Sequence, residues 1–327
     1  MSSLWQEGHV SESKFKREEH VPEDRALLAS ATKYVAHPSG TAGQQLSDRE
    51  LAQTHGLDFA TAVMYCRARD KPANAEFIRS MEMTAASAEI RSIRIGLVPG
   101  AFYQEHDNTG ADGADVIRII ASLGYTAEVI AVRSFGSPQE NAAIIHKWLQ
   151  QDPARPVILI SLSKGACDLK AAWPWMLESK VRVVAWISLS GICTGTPLVN
   201  WLRTRPWRSF VVWLLLKWRR QRSSVIDELR HGIDAPLNHW PEFPSSLIIV
   251  HVQGYPLARH LAHPWAGKAY QRLNALGPND GGGIILADVA EWPGIILPLW
   301  GVDHYLKPRH DITAILSQVF QTVIARC

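Results

Sequence analysis

The chain has 327 residues, 46% of them hydrophobic and 20% charged, and a formal net charge of +3. This suits a globular protein with a full core, as one large domain or two smaller ones, and the charge is too slight by itself to imply nucleic-acid binding. The polar opening MSSLWQEGHVSESKFKREEH lacks the apolar core and cleavage site of a secretory signal, and the longest apolar run, Phe210 to Leu216, is too short to span a bilayer.

Residues 1–90 read as a helical N-terminal extension. Ser47-Asp48-Arg49-Glu50 is a capping box, with Ser47 as N-cap and Glu50 reaching back. Further helices are expected over Leu57–Arg69 and Ala73–Thr84, with Pro72 in the first turn of the latter. The stretch from Asp48 to Arg69 loosely resembles a helix-turn-helix, with Ala52 and Gly56 at fitting spacing. Its second helix offers few base-reading side chains, so no nucleic-acid partner is expected. Cys66, Cys167, Cys193 and Cys327 are widely spaced and form no Cys-x-x-Cys pair. They read as buried free thiols, which makes a reducing cytoplasm the expected compartment.

From residue 91 the pattern changes. Apolar runs at Ile93–Val98, Ala127–Val132, Val157–Leu162, Val183–Leu189, Leu247–Val252 and Ile295–Leu299 alternate with helical stretches at Ala114–Leu123, Gln139–Gln150 and Gly165–Glu178. An insertion occupies about residues 197–243. Near-continuous apolar strands separated by helices indicate an α/β fold with a mostly parallel sheet covered on both faces. Ligands in such sheets bind beyond the carboxyl ends of the strands.

Four segments fall at those ends. In Ser161-Leu162-Ser163-Lys164-Gly165 a strand gives way to a helix, and small residues stand two before and two after Ser163. A nucleophile elbow needs that arrangement because those side chains crowd the turn, although serine replaces the usual first glycine. The bland alternative is a serine that satisfies a backbone group at a strand end. In Gly96 to His106, the turn Pro99-Gly100-Ala101-Phe102-Tyr103 can aim amides into a site. A tetrahedral oxyanion needs two such donors, here Lys164 and either Ala101 or Phe102. Asp280, in Gly277 to Gly283, is either a surface turn residue or the carboxylate that orients a histidine. His304 follows the last strand and can reach across the strand ends to a serine. Ser190 also follows a strand, but one too late in the order, and Cys193 interrupts its small-residue frame. Asp288 and Asp303 are alternative acids.

The order Ser163, Asp280, His304, each after a strand, resembles the α/β-hydrolase fold family. Pro99 to Tyr103, Ser161 to Gly165, Asn279 to Gly281 and Gly301 to His304 are similar to the active-site segments of its lipase and esterase members. The likeness covers about residues 91–327. It implies Ser163 as nucleophile, Asp280 as acid, His304 as base, and the amides of Lys164 and Ala101 or Phe102 as the oxyanion hole. The family's first two strands are not evident, so a trimmed sheet with N-terminal helices at that edge is expected. The expected function is hydrolysis of carboxylic esters through an acyl-enzyme. A thioesterase or acyltransferase would use the same triad, and a non-catalytic hydrolase-like binding protein would keep the fold alone.

No metal or other cofactor is expected, because there is no His-Glu-x-x-His, no clustered Cys/His spacing and no phosphate-binding loop. The insertion from Asn200 to Ser224 interleaves Trp201, Trp207, Trp213 and Trp218 with arginines and lysine. In hydrolases of this fold, segments inserted here often form a cap over the site. Tryptophan beside basic residues suits a lipid–water interface, so an acyl ester or lipid substrate and a peripheral membrane contact are both expectations. The alternative is a cap that packs its tryptophans on the domain. Tyr103, Trp213 and Trp218 are the expected substrate contacts.

Overall fold

In the computed structural model, residues 22–37, 46–84, 92–105, 109–179, 181–205, 207, 224–306 and 312–327 are described. The apolar runs form β1 (Arg94–Val98), β2 (Ala127–Val129), β3 (Val157–Leu162), β4 (Val183–Leu189), β5 (Ile248–Tyr255) and β6 (Ile295–Trp300). They hydrogen-bond in the order β2-β1-β3-β4-β5-β6, and every pair is parallel. The central strands do not alternate apolar and polar because both faces of the sheet are covered. Val157 and Leu159 join Trp186, Ile249 and Ile296 on one face, while Ile158 and Ile160 join Ile187, Val250 and Leu297 on the other. Each such side chain contributes about 1.5–3 kcal/mol by burial.

The helices are α1 (Pro22–Ala36), α2 (Asp48–His55), α3 (Leu57–Asp70), α4 (Pro72–Met83), α5 (Ala114–Ser122), α6 (Pro138–Leu149), α7 (Gly165–Glu178), α8 (Pro197–Arg203), α9 (Ser224–Glu228), α10 (Pro264–Leu273), α11 (Leu286–Val289) and α12 (Thr313–Arg326). Leu28 of α1, Leu51 of α2, Ala60 of α3, Ile145 of α6 and Leu169 of α7 share the first face's core; α4, α5 and α12 cover the second with Phe77, Ile120 and Val319. Ser47 caps α2 through the expected box, its Oγ accepting from the Glu50 amide while Glu50 accepts from the Ser47 amide.

One expectation about the edge of the sheet needs correction. The N-terminal helices do not stand at the β2 edge, where Glu128 and Val129 are exposed; α3 and α4 pack on β6 at the other end of the sheet. In the stretch that loosely resembles a helix-turn-helix, α3 buries Ala60 through Cys66 without a break and rests Tyr65 against Tyr255 and Trp300. Among the described residues, no helix is long and apolar enough to cross a membrane.

Candidate active site

The turn after β3 holds Ser163 at φ +46°, a left-handed conformation that costs a residue with a Cβ roughly 1–2 kcal/mol. Three backbone bonds hold it there. The Ser163 amide donates to the Leu189 carbonyl at 3.1 Å, and its own carbonyl accepts from Ala166 at 3.1 Å and Ile192 at 2.9 Å. Gly165 is required by space, since a Cβ there would lie 2.5 Å from the Val98 carbonyl oxygen and 2.7 Å from that of Pro99. Ser161 is fully buried, and its Oγ accepts a 2.8 Å hydrogen bond from the indole N–H of Trp186. The serine that departs from the glycine pattern therefore has a partner on the neighbouring strand.

Ser163 Oγ lies 2.8 Å from His304 Nε2, and His304 Nδ1 lies 2.5 Å from Asp280 Oδ2. Asp280 is buried in the Gly-rich loop, which wraps around its other oxygen: Oδ1 accepts from the amides of Gly282 at 2.9 Å, Gly283 at 3.1 Å and Ile284 at 3.0 Å. Gly282 also seats the imidazole, because a Cβ there would fall 1.9 Å from His304 Cγ. Burial alone would push the Asp280 carboxyl up. The charge and hydrogen bond of His304, with the Ile284 and Gly282 amides, outweigh it and hold that carboxyl below its ordinary range. Burial alone would lower His304, but Asp280, by charge and by hydrogen bond, and the charge of Asp303 raise it.

The alternative acids are engaged elsewhere. Asp288, on α11, pairs with His231 Nε2 at 2.7 Å. Asp303 turns away from its neighbour His304: its Oδ2 accepts from the amides of Ala262 at 3.1 Å and His263 at 3.4 Å, and its Oδ1 from that of Tyr305 at 3.0 Å. Among the described residues, no three His, Cys, Asp or Glu side chains converge as a metal site would require.

A cavity of about 300 Å³ opens at Ser163. Ala101, Phe102 and Lys164 line it together with His304. The amides of Ala101 and Lys164 donate to no backbone or side-chain acceptor among the described residues, while Phe102 sits at φ +64°. The Lys164 side chain points the other way and is buried, with Nζ 2.7 and 2.9 Å from the Asp168 carboxylate. Tyr103 is not a wall of the cavity. Its hydroxyl donates to the Val132 carbonyl at 2.6 Å, and its ring packs against the first core. The aromatic lining comes instead from Phe102, Trp265 and Tyr305. Trp213 and Trp218 lie outside the described residues. The described parts of the insertion do reach the cavity, through Leu198 and Val199 of α8 and through Leu229. Trp201 packs beneath the guanidinium groups of Arg205 and Arg272, at 5.0 and 4.4 Å, whereas Trp207 is exposed.

A search of solved structures finds a metagenomic carboxyl esterase with a TM-score of 0.55 and 20% identity, covering 73% of this chain and 77% of that one. The all-parallel sheet, its strand order and this likeness agree. The fold is that of the α/β-hydrolases. The same search finds a Bacillus licheniformis lipase in its mature form at a TM-score of 0.47 and 20% identity, covering 67% of this chain and 87% of that one. No family model and no curated protein matches the chain.

Proposed function

We propose that this protein is a serine hydrolase that cleaves carboxylic esters through an acyl-enzyme. The observation that supports it most is the continuous line of hydrogen bonds Ser163–His304–Asp280 at the mouth of an apolar cavity. With its Nδ1 proton held by Asp280, His304 presents the Nε2 lone pair to the Ser163 hydroxyl. Ser163 Oγ attacks the ester carbonyl as His304 takes its proton, and Asp280 stabilises the imidazolium that forms. The oxyanion accepts from the amides of Lys164 and Ala101 or Phe102. His304 then gives its proton to the departing alcohol, leaving Ser163 acylated. Water, deprotonated by the same imidazole, releases the acid.

The cavity favours an apolar acyl group, since Leu162, Leu189, Ile192, Leu198, Val199 and Leu229 form much of its wall. The test is a fluorophosphonate probe followed by peptide mapping, run beside a chain-length panel of p-nitrophenyl esters. Label on Ser163 with turnover of the esters is the expected result. Absence of label with no turnover, or label on another serine, overturns the proposal.

A further inference from the structure

Asp24 is a buried carboxylate that takes no part in the chemistry just described, yet it grips two segments of the chain that lead to the turn carrying His304. It stands in the first turn of α1 and is 2% exposed. Its Oδ1 accepts from Arg259 Nε at 3.2 Å and Nη2 at 2.5 Å, and its Oδ2 from His260 Nε2 at 2.9 Å and Trp300 Nε1 at 3.2 Å. A carboxylate has lone pairs for about four such bonds, so this one is saturated. His260 Nδ1 accepts from the Leu257 amide at 3.1 Å. The imidazole must therefore carry its proton on Nε2, where it is donated to Asp24. Burial raises the Asp24 carboxyl, and Arg259, His260 and Trp300 together bring it below its ordinary range.

The donors come from two segments that meet at the candidate site. Trp300 ends β6 and leads directly into the Gly301 to His304 turn. Arg259 and His260 sit in the turn after β5, which runs on to Ala262 and His263. Those two amides are the ones Asp303 holds, and Asp303 also fixes the Tyr305 amide. The two segments are thus stitched twice, by Asp24 at one end and by Asp303 beside the imidazole. Gly301 turns the chain at φ +74°, and the ring of His260 meets Trp300 edge-on with centroids 5.8 Å apart. Arg259 extends the clamp to α3 through Asp58 at 3.0 Å.

We infer that Asp24 is a positioning residue for His304, so that the N-terminal helix α1 is a working part of the active site. The inference rests on the Ser163–His304–Asp280 reading above. Without the Asp24 clamp, the turn that carries His304 keeps its link to β6 but loses the hydrogen bond that anchors the Trp300 indole and the brace on the 258–263 segment. The imidazole then spends less time against Asp280. Leu28 and Ala31 anchor α1 independently by packing, so a substitution confined to Asp24 leaves the helix docked.

The experiment uses the full chain with Asp24→Asn and Trp300→Phe, the second removing one donor while keeping an aromatic ring. Two quantities are read: kcat and KM for a short p-nitrophenyl ester, and the His304 imidazole titration by NMR on 15N-histidine-labelled protein, assigned with His304→Ala. The charged groups facing His304 are Asp280 and Asp303, with Tyr305 in ring contact. For Asp24→Asn, kcat should fall roughly 10- to 100-fold with KM changed less than about twofold. The His304 midpoint should move down as its coupling to Asp280 weakens, and Trp300→Phe should move both readouts the same way by less. A loss of Tm with kcat and the His304 midpoint unchanged overturns the inference, and if Asp24→Asn does not fold, an unmoved midpoint in Trp300→Phe does so alone. The titration needs no turnover. A wild type inert toward esters would sink the proposed function, while the midpoint would still decide the role of Asp24.

Discussion

Ser163 and Ser190 stand at the ends of neighbouring parallel strands whose last residues, Leu162 and Leu189, pair in register. Their backbones match: φ is +46° at one and +45° at the other, and each amide donates to a carbonyl of the next strand, Leu189 for Ser163 and Val252 for Ser190. Their hydroxyls differ completely. Ser163 Oγ faces the cavity and His304, whereas Ser190 is buried, with an Oγ that has no hydrogen-bond partner among the described residues. A strained serine at a strand end is therefore a product of sheet geometry that occurs twice here. Only one of the pair is met by an imidazole, and that imidazole is delivered by β6 and held by the Gly-rich loop.

The largest expected effect is at Ser163. Replacing it with alanine should lower kcat by about 10⁴-fold or more while leaving Tm unchanged, because the nucleophile is lost and no packing is disturbed. Turnover near the wild-type level would erase the distinction between the two serines. Asp280→Asn comes next, with an expected loss of about 10²- to 10⁴-fold in kcat from an imidazole left in the wrong tautomer. The pH profile carries the sign. Burial depresses His304, but Asp280 and Asp303 raise it overall, and the base works only when neutral. In the wild type, kcat/KM should therefore climb through a midpoint above the ordinary histidine value of about 6.5, and the asparagine variant should bring that midpoint down. A profile unmoved by Asp280→Asn would detach the acid from the line.

Ser161→Gly should act on stability alone. It restores the commoner elbow pattern, yet it strands the Trp186 indole N–H in the core, at a cost of about 1–3 kcal/mol in urea unfolding, with kcat held within about twofold. Equal stability would mean that the hydrogen bond contributes nothing. The smallest effect belongs to Ser190→Ala, which removes an unpartnered hydroxyl. Activity should stay within about twofold and stability should hold or rise slightly. A large loss of activity there would show that the second serine matters after all.

Much of this arrangement was legible because it is local. β3, β4 and α7 lie where the β-branched runs and the Gly165 helix start place them, and the capping box at Ser47 is present as read. The three distant residues Ser163, Asp280 and His304, named from their order along the chain, meet in one hydrogen-bonded line. What escaped depends on partners the local pattern does not name. Tyr103 looked like a wall of the site, but a phenol next to a buried loop turns to the nearest carbonyl, that of Val132. The strand expected over Ala127–Val132 stops at Val129, although Ile130 still donates to the Leu97 carbonyl. β5 runs on to Tyr255 because Gln253 to Tyr255 pair with β6, and Gly254 admits the Val302 carbonyl, which a Cβ would meet at 2.1 Å. Asp24 gave no signal at all, being one acidic residue in the first turn of a helix, where acids are ordinary.

The bond between Ser161 and Trp186 has an evolutionary reading. A glycine-first elbow on this scaffold cannot be reached by one neutral step, since the indole would lose its acceptor before any gain. The two positions should drift as a unit. Relatives with glycine at 161 are expected to carry at 186 a side chain without a polar hydrogen, and an alignment deep enough to show both states would display that correlation directly.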